Sequence, residues 1–97
     1  MKKLEEIKSI LIGQKETLRQ NYNIKSISIF GSYAKGKQKP TSDIDILVEF
    51  EKPISLLKFI ELENYLSNIL GIKVDLVVKK ALKPHIKEHV LKEEIPL

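Results

Sequence analysis

Twice between positions 43 and 78 the chain carries apolar residues in a period of two, with aspartate among the opposing positions. In Asp43-Ile44-Asp45-Ile46-Leu47-Val48-Glu49-Phe50, a strand puts Ile44, Ile46, Val48 and Phe50 on one face and both aspartates on the other. In Lys73-Val74-Asp75-Leu76-Val77-Val78, the residues Val74, Leu76 and Val78 share a face, and Asp75 points the other way beside Val77. Each strand therefore has one face to bury and one that carries charge. That asymmetry predicts an α+β fold, with a sheet covered by helices on one side and open on the other, rather than a doubly wound one.

The remaining segments supply those elements. Leu4, Ile7, Leu11 and Leu18 mark one stripe of a predicted helix over 2–20, ended by the turn cluster Asn21-Tyr22-Asn23. A strand over 24–30 alternates around Ile27 and Ile29 and ends at Gly31, and a short helical turn over 32–35 is stopped by Gly36. Residues 37–42 read as a lysine-rich loop with Pro40. Ser55 is placed to cap a helix reaching Leu70, with Leu56, Phe59, Ile60, Leu66 and Ile69 inward and Gly71 at its end. Pro84 suits the first turn of a last helix over 84–93. At 97 residues, with no internal repeat or linker, the expectation is one domain over 1–97.

Composition narrows the function classes. The chain has no cysteine, which excludes disulfides and thiolate metal sites, and no apolar run approaches the ~20 residues needed to span a bilayer. No secretory pattern is present, so the cytoplasm is the expected location. The formal charge of +4 suits a polyanionic ligand or an acidic partner. It argues only weakly for extended nucleic-acid binding, because the lysines are scattered and the six aromatics form no stacking platform.

The acids are the candidate chemistry. Asp43 and Asp45 stand about 7 Å apart along a strand, and Asp75 on a neighbouring strand can meet them above the open face. Two unit charges 4 Å apart repel by about 4 kcal/mol at an effective dielectric near 20. Such a cluster persists when a cation binds it or one carboxyl keeps its proton. Magnesium fits best, because it takes carboxylate oxygens and shares its shell with substrate phosphates. Upstream, Gly31 and Ser32 follow a strand end, where a backbone N–H and a hydroxyl can grip phosphate.

Two rival motifs fail on chemistry. Residues 31–37 match the first seven positions of a P-loop, but Gln38 stands where a magnesium-ligating hydroxyl belongs, and Pro40 imposes a loop where a helix must follow. His85 and His89 have zinc-binding spacing on the last helix, yet no third ligand accompanies them, and they read as surface residues. Tyr33 beside the phosphate loop serves substrate contact and packing equally well.

Gly31-Ser32-Tyr33-Ala34-Lys35-Gly36 followed by Ser42-Asp43-Ile44-Asp45-Ile46-Leu47-Val48 resembles the minimal nucleotidyltransferase family of the DNA polymerase β-like superfamily. The likeness covers almost the whole chain, including the third acidic strand. It implies a small mixed β-sheet with helices packed on one face. It also implies that Gly31 and Ser32 hold the nucleoside triphosphate, Asp43 and Asp45 coordinate Mg²⁺, and Asp75 is the third acid, assisting the attacking hydroxyl. Many relatives are antitoxins that transfer AMP from ATP onto a HEPN-domain ribonuclease toxin, typically at a tyrosine. Lys35 departs from the arginine usual there, which keeps the charge but weakens bidentate phosphate contact. The extra helical domain of larger relatives is missing, so a partner protein or a second subunit must supply the acceptor surface, which implies a homo- or hetero-oligomer. This disfavours a small-molecule acceptor. A non-catalytic antitoxin acting by occlusion is the alternative.

Overall fold

The computed structural model describes residues 3–97. In chain order it runs α1 (Leu4–Gly13), α2 (Lys15–Tyr22), β1 (Ile24–Phe30), α3 (Gly31–Lys35) and β2 (Ile44–Phe50). It continues with α4 (Leu56–Leu70), β3 (Val74–Val78), a 3₁₀ turn (Lys79–Ala81), α5 (Pro84–Glu93) and β4 (Ile95–Pro96). The strands form one mixed sheet in the order β3-β2-β1-β4. β2 pairs antiparallel with β1 and parallel with β3, and β4 pairs antiparallel with β1.

The period-two pattern decides which face is buried. Ile27, Ile29, Ile44, Ile46, Val48, Val74 and Leu76 pack in one core cluster with Ile7, Leu11, Leu18 and Tyr22 of the first two helices and Leu62, Leu66 and Leu70 of α4. Fully burying each such side chain contributes about 1.5–3 kcal/mol. α4 starts at the expected cap, where the Ser55 hydroxyl accepts from the Lys58 N–H at 3.1 Å. Its inward stripe is rotated from the expectation. Leu62, Leu66 and Leu70 are buried, whereas Leu56 is 74% exposed and Ile60 45%. α4 also guards the outer edge of β3: the Ser67 hydroxyl accepts from the Val74 N–H and the Glu63 carboxylate from the Leu76 N–H, both at 3.0 Å. Side-chain acceptors there leave fewer edge groups open to another chain.

The predicted first helix is two. Its first residue, Lys2, lies outside the described residues, and the rest breaks after Gly13. Glycine weakens a helix interior by roughly 0.5–1 kcal/mol. Here the Gln14 N–H bonds back to Leu11 O at 3.1 Å, and the Gln14 side chain accepts from the Tyr65 hydroxyl of α4, which holds the bend.

The two crossovers explain where α5 goes. β2–α4–β3 and β3–α5–β4 both join parallel strands but cross the sheet in opposite directions. Right-handed connections therefore place α4 and α5 on opposite faces. Glu94, just past α5, accepts from the Ser28 hydroxyl at 3.1 Å, on the face that carries Asp45. Leu47 on that face is 1% exposed and Ser28 6%. The face expected to be open is thus roofed in part, while its end at Asp43 and Asp75 stays exposed.

Candidate functional site

Register brings the acids together. Asp45 and Asp75 are direct partners across the parallel β2–β3 pair, so period-two alternation points both side chains out of the same face. Ile44 and Ile46 on either side of Asp45 are buried, and Val74 and Leu76 flank Asp75 in the same way, which prevents a register slip. Asp43 precedes β2, at the end of a turn in which the Ser42 hydroxyl accepts from the Lys39 N–H at 2.9 Å. Asp43 and Asp75 are exposed and Asp45 is half-buried.

Asp45 is electrostatically uncomfortable. Burial, then the charge of Asp75, a hydrogen bond shared with it, and the charge of Asp43 push its carboxyl up from 3.8 to about 6. Among the described residues no lysine, arginine or histidine forms a salt bridge with Asp43, Asp45 or Asp75. The three differ in closeness: Asp45 and Asp75 interact directly, and Asp43 acts on Asp45 through charge. No three acidic or histidine side chains among the described residues converge tightly enough to enclose a metal ion. A hard divalent cation nonetheless suits this donor set, which offers carboxylate oxygens with no protein cation between them.

Gly31 closes the site from the other strand. Phe30 pairs with Asp45 across β1–β2, and Gly31 opens α3 immediately after it with φ +71°. A Cβ there would overlap Asp45 Oδ2 and lie 3.0 Å from Asp45 Cγ. Only glycine supplies both the backbone angle and the space. Ser32 follows in the first turn of α3, where helix N–H groups have no partner of their own. Tyr33, 1% exposed, packs into the core and anchors this short helix, which decides between its two readings. α3 ends at Gly36, so no P-loop helix follows.

A cleft of about 480 Å³ opens beside Asp43, between Pro40–Ser42 and the Gly71–Lys73 turn. The larger hollow, about 560 Å³, lies at the far end of β2 near Phe50, Ile54 and Phe59, away from the acid pair. His85 and His89 are both exposed on α5. Glu49 was legible as a residue of the acid face by the same period-two rule, and its placement there was not drawn from the pattern. The pairing of Lys35 with Glu93, at 3.1 Å, left no mark in the sequence.

With this geometry in hand, the comparisons with known proteins are informative. A family model described as nucleotidyltransferase domain matches residues 11–97. Protein adenylyltransferase MntA of Thermococcus cleftensis is 53% identical over 92 residues, 95% of this chain and 93% of its own. A solved structure provisionally described as a minimal nucleotidyltransferase superposes with a TM-score of 0.85 at 33% identity, over 99% of this chain and 97% of that one. A toxin–antitoxin crystal structure with AMP-PNP superposes with a TM-score of 0.74 at 29% identity, over 91% of this chain and 69% of that one.

Proposed function

The chain belongs to the nucleotidyltransferase domain family and is an enzyme of that kind; from that premise we propose that its single domain, residues 1–97, transfers AMP from ATP to a tyrosine hydroxyl of a HEPN-domain toxin and so acts as its antitoxin. The observation that carries this reading is the Asp45–Asp75 pair, in register, paired with no cation among the described residues, and with Asp45 seated against Gly31. The relative from Thermococcus cleftensis carries the name of a protein adenylyltransferase, and the toxin–antitoxin neighbour holds AMP-PNP, an ATP analogue with NH in place of the β–γ bridging oxygen.

In this reading Gly31 and Ser32 bind the triphosphate through backbone N–H groups and the serine hydroxyl. The missing Cβ makes room for the Asp45 carboxylate against the turn that carries these groups. Asp43, Asp45 and Asp75 would hold Mg²⁺ through their carboxylate oxygens. Bound magnesium supplies neutralisation of the triphosphate and of the leaving pyrophosphate. Asp75, which is exposed, would take the proton of the incoming hydroxyl. The acceptor oxygen bonds the α-phosphorus, the bond from that phosphorus to the bridging oxygen breaks, and pyrophosphate leaves. No described helix is long and apolar enough to cross a membrane, and we place the reaction in the cytoplasm.

Mass spectrometry of the partner toxin after incubation with this protein, ATP and Mg²⁺ tests the proposal. It predicts a gain of adenylate units, lost with Asp43→Asn or Asp45→Asn. An unmodified toxin that is nonetheless fully inhibited would show neutralisation by occlusion instead.

A further inference from the structure

We infer that Glu93 is a positioning residue for the nucleotide-binding turn, acting through Lys35. The inference rests on the proposed phosphate site at Gly31 and Ser32 and asks what holds that turn in place. α3 has five residues, and a helix that short does not sustain itself in water. Gly31 fixes its start against Asp45, and Tyr33 fixes its buried side. Its far end is joined to α5 by the ion pair between Lys35 Nζ and Glu93 Oε2 at 3.1 Å.

Glu93 can serve as a brace because the chain around it is itself tied down. Glu94 accepts from Ser28, Ile95 pairs with Ile29, and the Leu97 N–H donates to Ile27 O at 3.0 Å. All three ties end on β1, the strand that runs directly into Gly31. The other Glu93 oxygen, Oε1, lies 3.4 Å from His89 Nε2 on the same helix. Side-chain exposures of 40% for Lys35 and 31% for Glu93 mark a pair that water screens in part. The C-terminal segment thus braces both ends of the turn, β1 by backbone pairing and α3 by charge.

The test measures ATP binding by fluorescence titration and steady-state AMP transfer for the wild type, Glu93→Gln, Lys35→Met, the double variant and the exposed control Lys92→Ala. A partly screened pair predicts that Glu93→Gln raises the ATP Kd and KM by about three- to five-fold with kcat unchanged. It also predicts that Glu93→Gln adds nothing in the Lys35→Met background, whereas independent roles would add. Melting temperatures separate a positioning effect from unfolding. Wild-type ATP binding with an unchanged Kd in Glu93→Gln, or additive effects in the double variant, overturns the inference alone. A wild type that binds no ATP overturns the site reading and the inference with it.

Discussion

Asp45 and Glu49 lie four positions apart on the same face of β2, both half-buried, and their surroundings push them in opposite directions. Glu49 accepts from the Ser26 hydroxyl at 2.7 Å and pairs with Lys79 Nζ at 3.4 Å, and these hold its carboxyl below the ordinary range. Asp45 meets burial, Asp75 and Asp43, and its carboxyl is pushed up to about 6. A satisfied acid acts as framework. A half-buried acid whose neighbours are other acids stores unfavourable electrostatics, a state that clusters at functional sites. The comparison separates the functional end of the strand from the structural end.

The sharpest way to break it is charge removal at each acid. Asp45→Asn should lower AMP transfer by roughly a hundred- to a thousand-fold, the scale of removing one preorganised charge-stabilising group. Glu49→Gln should leave transfer largely intact. Equal losses in a steady-state assay would erase the distinction.

Glycine substitutions sharpen the same contrast through the backbone. Gly36 has φ +69° with nothing within 4 Å of an added Cβ, whereas Gly31 has φ +71° and Asp45 in the way. Gly36→Ala should cost about 1–2 kcal/mol for the left-handed conformation, measured by denaturant unfolding. Gly31→Ala should cost more, because the carboxylate must also move. Matching values would mean that Asp45 yields freely and is not held rigid.

Smaller effects fall on stability. Glu49→Gln weakens a charged hydrogen bond and an ion pair and should cost about 0.5–1.5 kcal/mol. Asp45→Asn should cost none and raise the melting temperature at pH 7, since it removes the repulsion. The pH dependence follows. A carboxyl with a raised pKa makes the folded state bind protons more tightly than the unfolded chain, so Asp45 destabilises the fold as pH rises from about 4 through about 6. Glu49, shifted down, contributes stability above its unfolded pKa near 4.5 that is lost as pH falls through its lower folded value. Thermal unfolding from pH 4 to 7 should lose its downward slope in Asp45→Asn and keep it in Glu49→Gln.

Much of the fold was legible because it depends on local rules. The period of two around Ile27 and Ile29, along 44–50 and along 74–78 located β1, β2 and β3, and the serine cap and closing glycine located α4, all within a residue of their ends. The meeting of Asp45 and Asp75 on one face was also legible, because the strand period fixes which face each acid occupies. What escaped depends on distant partners. The break at Gly13 is held by Tyr65, half the chain away. The inward stripe of α4 is rotated by its packing, leaving Leu56 and Leu57 in solvent. β4 has two residues, too few to show a period, and exists through pairing with β1. The passage of α5 over the acid face follows from strand order, which no single segment encodes.

The most direct test of the claim that Asp45 is a poised acid with no compensating cation is its own titration, followed by carboxyl ¹³C NMR with and without Mg²⁺. The account predicts a midpoint near 6 in the absence of the cation and a clear fall when magnesium is added. A midpoint at the ordinary 3.8 that magnesium leaves unmoved would contradict it.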